Sequence, residues 1–406
     1  MFTGDVGGLI SRTLNRVDPR LVDHGTRVAR TVFQMLSLQG RYSDRERRDI
    51  YLVALLHDIG AYKTEEIDQM IRFETEDVWG HSIYGYLFLH HLSPLKRWAQ
   101  AVLYHHAGVQ ELDGVEAQCR EVAQMLALAD RADIYLRTPG TNWEGLKKRL
   151  LQDCGRRYDA GMLDLLVEAK ERASREEAWR SRPKDDFSPE EREAYLRMIV
   201  YAIDFRSPHT VTHTITTTQI SIEIAKTLGM DGAWLRRIWY GALLHDLGKI
   251  GIPVQILEYP GKLSAQEMDV MRTHVDITER ILDGALDLET SNIALRHHEK
   301  LDGSGYPRAL PAAALNTAER VVAVADMASA LLGTRSYKTA FSKARTLTIL
   351  QDEAQRGTID CACVGAFAGR FDEIMEQVRS HCTPVIETYR GIQAEYTRHM
   401  ARRAAP

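Results

Sequence analysis

The stretch ALLHDLGKIGIP, residues 242–253, has a counterpart in ALLHDIG, residues 54–60. Outward from each His-Asp pair, the chain repeats one order of residues. The second half runs His213, His245-Asp246, His274, His297-His298, Asp326; the first runs His24, His57-Asp58, His81, His105-His106, Asp130. The intervals are 32, 29, 23 and 28 residues against 33, 24, 24 and 24, the last counted from the second histidine of the pair. ALAD at 127–130 also matches AVAD at 323–326. Ten of the 15 histidines fall into the two sets, while His90, His91, His209, His381 and His399 lie outside them. An ordered set that occurs twice at domain spacing is an internal duplication, not a short solenoid repeat.

The segments between these residues read as helices. Ile50, Val53, Ala54 and Leu56 form one apolar stripe, and Ile220, Ile224 and Leu228 another. Ser188-Pro189-Glu190-Glu191 and Ser264-Ala265-Gln266-Glu267 place an acid three residues after a serine, the pattern of a reciprocal helix cap. Gly40, Gly229 and Gly357 stand where helices would end. Alternating strand patterns are scarce, so the expected fold class is all-α, with two tandem helical domains. The polar, proline-containing run 181–187 is the expected linker, giving domains at 1–182 and 188–406.

Composition narrows the partners. Apolar residues make up 44% and charged residues 27% of 406, as in ordinary globular proteins. A net charge of -4 argues against coating DNA, although local cations for phosphate remain compatible with it. No apolar run approaches the ~20 residues of a bilayer span. The N-terminal residues lack a charged segment followed by an apolar one, and the five cysteines form no CxxC pair. Both point to a cytoplasmic protein that does not enter the membrane.

Imidazole and carboxylate are the ligands of Zn, Fe, Mn or Co near neutral pH. Five histidines and two aspartates brought from several helices to one point would make a metal site inside a helical bundle. An adjacent His-Asp pair can give a nitrogen to one ion while its carboxylate reaches a second.

These motifs resemble the HD superfamily of metal-dependent phosphohydrolases. HDLGKIGIP at 245–253, HHEKLDGSGYP at 297–307 and VADMASALLGTRSYK at 324–338 further resemble its HD-GYP branch, over about residues 205–345. The resemblance implies an all-α domain with two or three divalent ions, iron or manganese, hydrolysing cyclic dinucleotides: cyclic di-GMP first, cyclic GMP-AMP second. It assigns metal ligation to His213, His245, Asp246, His274, His297, His298 and Asp326, with Asp246 bridging. Asp246 and Lys249 would be the catalytic residues. Lys249, Gly305, Tyr306, Arg335 and Lys338 would meet the substrate, and the Gly305-Tyr306-Pro307 loop would shape the site or dock a GGDEF-domain or other protein partner. A homodimer is compatible with the pattern. His209 stands where some members carry a glutamate that ligates a third ion, and Ser329 replaces an aspartate common three residues after the last ligand.

The chemistry of these residue types agrees with that assignment. A phosphodiester is a sluggish anionic electrophile, and a metal pair can clamp its oxygens and activate water. Lys249 would add a point charge where negative charge builds. Arg335 offers a planar fork for phosphate and Lys338 a looser contact.

The first half keeps His24, His57, Asp58, His81, His105, His106 and Asp130 but carries Ala61 at the lysine position, Pro139 at the arginine position and no GYP. It resembles the broader superfamily and is expected to be a metal-competent regulatory domain. Three functions stay open: a cyclic-dinucleotide phosphodiesterase, a non-catalytic sensor of a cyclic dinucleotide or metal state acting through partners, and a phosphohydrolase of another nucleotide.

Overall fold

A computed structural model describes residues 4–18, 21–61, 79–175, 183–207, 210–259, 261–333 and 340–404. Among them every named element is an α- or 3-10 helix, as the apolar periodicity requires. The expected caps form. Ser264 accepts from Glu267 N–H while the Glu267 carboxylate accepts from Ser264 N–H at 2.8 Å. Ser188 and Glu191 make the same pair at 3.2 and 3.0 Å. Gly40, Gly229 and Gly357 all take positive φ, the left-handed conformation that closes a helix without a Cβ clash.

The chain divides into two compact units, and they depart from a cut at 183–187. One comprises residues 17–198 and 391–406, the other residues 1–16 and 199–390. The division therefore falls inside the helix Pro189–Asp204, and each terminus packs with the unit remote from it in sequence. Side-chain contacts give the reason. Val6, Leu9 and Ile10 of the first helix are fully buried, and Arg12 Nε donates to Ile281 O at 2.7 Å. At the other end, Tyr396 meets Tyr84 edge-on at 6.1 Å, and the Arg403 guanidinium covers the Trp79 ring. The run after residue 182 is anchored too, because Arg48 lies 4.1 Å over the Phe187 ring. Polar composition alone does not reveal these attachments.

In the unit of residues 17–198, the helices His24–Gln39, Asp44–Leu55, Trp79–Leu92, Ala99–Leu103 and Ala117–Arg137 carry or immediately precede the seven histidines and aspartates of the first set. In the other, His213–Thr227, Gly232–Leu244, Ala265–Leu282, Leu288–Leu295 and Thr317–Leu332 do the same for the second. Behind the second set lies an apolar cluster including Ile220, Ile238, Ile293, Val321 and Phe367. Burying each such side chain stabilises the fold by about 1.5–3 kcal/mol, and together they hold the ligand-bearing helices in register.

Candidate metal centres

Each set converges on one buried point. His245 sits at the end of the helix Gly232–Leu244, where the last carbonyls have no intrahelical N–H partner. Its Nδ1 donates to Ala242 O at 2.7 Å. His297 does the same to Ala294 O at 2.7 Å, His57 to Ala54 O at 2.8 Å and His105 to Val102 O at 2.6 Å. A carbonyl can only accept, so Nδ1 is protonated and the lone pair open to a metal is the one on Nε2. The helix end thus fixes the tautomer that a metal ligand needs.

The carboxylates stand between these lone pairs. Asp246 Oδ2 lies 3.3 Å from His213 Nε2 and 3.1 Å from His245 Nε2, while Oδ1 lies 3.5 Å from His274 Nε2 and 4.0 Å from His297 Nε2. Asp326 Oδ1 approaches His213 Nε2 at 3.1 Å, and Oδ2 faces His298 Nδ1 at 3.6 Å. Two adjoining groups able to hold an ion result: His213, His245 and Asp246, and His274, His297 and His298. Asp246 offers one oxygen to each. The first set repeats this arrangement. Asp58 Oδ2 lies 3.5 and 3.2 Å from His24 and His57, and Oδ1 3.8 Å from both His81 and His105.

These residues fit metal ions on a structural observation. His245 Nε2, Asp246 Oδ1, His24 Nε2, His57 Nε2, His105 Nε2 and both Asp58 oxygens are buried yet make no well-directed hydrogen bond, although they face one another at about van der Waals distance. A buried unsatisfied acceptor costs about 1–3 kcal/mol, and a cation shared among several removes that cost. Burial lowers His298 to about 3 and keeps it neutral. For His245 burial also opposes protonation, but Asp246 and Asp326 outweigh it and lift the pKa to about 10. A cation at that point would displace the proton.

Lys249, in the 3-10 turn Leu247–Gly251, places Nζ against Asp246 Oδ2. Tyr306 lies over His298, ring centroids 4.6 Å apart, and carries the Arg272 guanidinium at 5.3 Å on its ring. Gly305 allows that approach: a Cβ there would stand 2.4 Å from Lys300 N and 2.6 Å from His298 O. The expected residues His209, Arg335 and Lys338 lie outside the described residues.

The spacing of histidines and aspartates does not mark one further residue of this loop. Glu299, 3% exposed, accepts from Arg308 N–H at 2.7 Å and from Leu310 N–H at 2.9 Å, pinning the chain just after Gly305-Tyr306-Pro307. Its only signal was an acid directly after the histidine pair. Glu299→Ala is expected to remove both bonds, each worth about 1.5–3 kcal/mol to a charged acceptor. Thermal denaturation should show the loss, and substrate turnover should weaken through a raised KM as Tyr306 loosens.

Family sequence profiles match the chain in two places, residues 23–135 and 197–363, each as an HD domain. The chain carries two HD domains in tandem. The 3'3'-cGAMP-specific phosphodiesterase 1 of Vibrio cholerae is 27% identical over 380 residues, covering 86% of this chain and 88% of that protein. A cyclic di-GMP phosphodiesterase response regulator of Xanthomonas campestris is 41% identical over 182 residues, 44% of this chain and only 48% of its own length. Among solved structures, a cyclic GMP-AMP specific phosphodiesterase of V. cholerae superposes with a TM-score of 0.56 at 18% identity, over 90% of this chain and 97% of that one. That likeness establishes the shared fold of the tandem HD domains. No helix among the described residues is long and apolar enough to cross a membrane.

Proposed function

We propose that the chain is a metal-dependent phosphodiesterase that opens cyclic dinucleotides, with its reaction in the second HD domain. The observation carrying this reading is the position of Asp246: one oxygen toward His213 and His245, the other toward His274 and His297, with the Lys249 ammonium beside it. The relatives named as cyclic di-GMP and 3'3'-cGAMP phosphodiesterases support the substrate class.

In this reading His213, His245, His274, His297, His298, Asp246 and Asp326 hold two divalent ions, iron or manganese, with His209 a candidate ligand for a third. When bound, such ions would supply Lewis acidity toward a phosphodiester and a water activated near pH 7. The protein's own residues do the rest. The backbone carbonyls of Ala242 and Ala294 keep the Nε2 lone pairs turned inward. Lys249 meets the charge that builds on the equatorial oxygens. Tyr306, fixed over His298, forms an aromatic wall against which a base can lie. Arg335 and Lys338 remain candidates for the outer phosphates.

The first domain retains the ligand set without Lys249 or the GYP loop, and we assign it regulation. To the Gly305-Tyr306-Pro307 loop we assign the docking of a GGDEF-domain or other protein partner. Homodimerisation and a cytoplasmic location complete the proposal.

The test is anaerobic purification, metal quantification per chain, and parallel assays of cyclic di-GMP, cyclic GMP-AMP and mononucleotides with Mn(II) or Fe(II). Turnover of a cyclic dinucleotide to the linear form or mononucleotide is the expected result. Binding without turnover would favour a sensor, and turnover of mononucleotides alone another phosphohydrolase. Lys249→Met is expected to lower kcat roughly 10²–10³-fold with metal content unchanged, as when a single charge-stabilising donor is lost.

A further inference from the structure

The two centres differ in the support of the histidine that opens each set. His24 Nδ1 donates to Asp133 Oδ2 at 2.8 Å. That carboxylate is itself held by Arg27, with Nε to Oδ1 at 2.6 Å and Nη2 to Oδ2 at 2.9 Å. His24 and Arg27 are one turn apart on the helix His24–Gln39, so one face presents both to Asp133. In the second domain the residue three after the final aspartate is Ser329. Its Oγ lies 3.0 Å from His213 Nδ1 and donates to His213 O at 3.2 Å. Its single proton goes to that carbonyl, leaving a neutral lone pair for the Nδ1–H.

The other histidines whose support is visible lean on neutral backbone carbonyls: His57, His105, His245, His274 and His297. Set beside these, His24 bonds a carboxylate through Nδ1 at 2.8 Å, whereas the carboxylate that faces His298 Nδ1, Asp326 Oδ2, stands off at 3.6 Å. A carboxylate there orients the ring and raises the donor strength of the opposite nitrogen, and losing such a partner costs roughly 10–100-fold in metal affinity. Arg27 fixes the carboxylate in the plane it needs through a paired contact.

We propose that Asp133 is a positioning residue acting through His24, and that it makes the first-domain centre hold its metal more tightly than the second-domain centre, where Ser329 takes its place. The first HD domain is then a retained metal site beside a more exchangeable one. This rests on the metal reading of both clusters and not on the phosphodiesterase reading.

The experiment uses the full chain loaded with Mn(II) and dialysed against graded EDTA, with metal per chain measured by atomic emission. Asp58→Ala and Asp246→Ala assign each release step to its domain. The expected wild-type result is loss of the second-domain metal at lower chelator, then the first. Asp133→Ser should move the later step to roughly 10–100-fold lower chelator, and Asp133→Asn, which keeps shape and an acceptor but not the charge, should move it less. Ser329→Asp should move the earlier step upward. Circular dichroism and thermal denaturation identify any variant that fails to fold, and the remaining variants decide. A wild-type first-domain cluster that holds no metal or releases it first overturns the proposal. So does a folded Asp133 variant whose release is unchanged.

Discussion

Asp246→Ala is expected to abolish hydrolysis of cyclic dinucleotides and to remove the second-domain metal from the purified chain. Each of its two oxygens faces a different pair of imidazole nitrogens, at 3.1–3.3 Å on one side and 3.5–4.0 Å on the other. Without it the cluster keeps Asp326 as a carboxylate, and among the described residues that side chain faces His213, His245 and His298. Losing the shared anion weakens both subsites together, so single-ion occupancy is not the expected remainder. A loss of about 4 kcal/mol in transition-state stabilisation is roughly 10³-fold in kcat, and this is the least expected. Asp246→Asn keeps the shape and one acceptor oxygen and should retain more metal than activity. Turnover by Asp246→Ala at the wild-type rate would place the reaction elsewhere in the chain.

The site was legible in sequence where spacing encodes it. The seven histidines and aspartates of each repeated set are ones that the helices bring together. The helix-end position of His245 and His57 follows from the apolar run before each, since ALL is the buried last turn whose carbonyls the imidazole then meets. What stayed hidden depends on contacts between segments remote in sequence. Asp133 is an ordinary helical aspartate until His24 and Arg27, more than a hundred positions away, are seen to converge on it. Glu299 likewise acquires its role only when the loop returns to present Arg308 N–H and Leu310 N–H. The domain ends escaped for the same reason, because neither terminus advertises that it packs with the unit remote from it in sequence.

The difference between Ser329 and Asp133 also bears on what duplication has done. The ligand sets are alike, and so is the inward-facing geometry of Asp58 and Asp246. Divergence lies in the residues that support the ligands and in those that would meet a substrate, Lys249 against Ala61 and the GYP loop against its absence. A centre with its ligands and a charged support suits retention of an ion. One with a neutral support, a lysine and an aromatic wall suits turnover.

Gly248→Ala should cost both stability and activity, for a reason shared by the two domains. The glycine two residues after each central aspartate is where the turn after the His-Asp pair presses on the next ligand helix. A Cβ on Gly248 would stand 1.8 Å from His274 O and 2.7 Å from Thr278 N; on Gly60 it would stand 2.0 Å from His81 O and 2.7 Å from Gly85 N. The obstacle is backbone in both places, so no side-chain rotation relieves it, and the segments must separate by more than an ångström. Overpacking of this kind costs about 1–3 kcal/mol and occasionally more. At about 2–4 °C per kcal/mol for a unit of this size, the expected fall in Tm is roughly 2–12 °C. Activity should fall further than stability, because the helix displaced by Gly248→Ala carries His274, and a misplacement of about 1 Å in a catalytic constellation costs roughly 10²-fold. Gly60→Ala should give a similar thermal loss but register in first-domain metal, since the helix it displaces carries His81. Crossing thermal denaturation with metal content and kcat in the two variants separates packing, which the domains share, from chemistry, which the proposal assigns to the second.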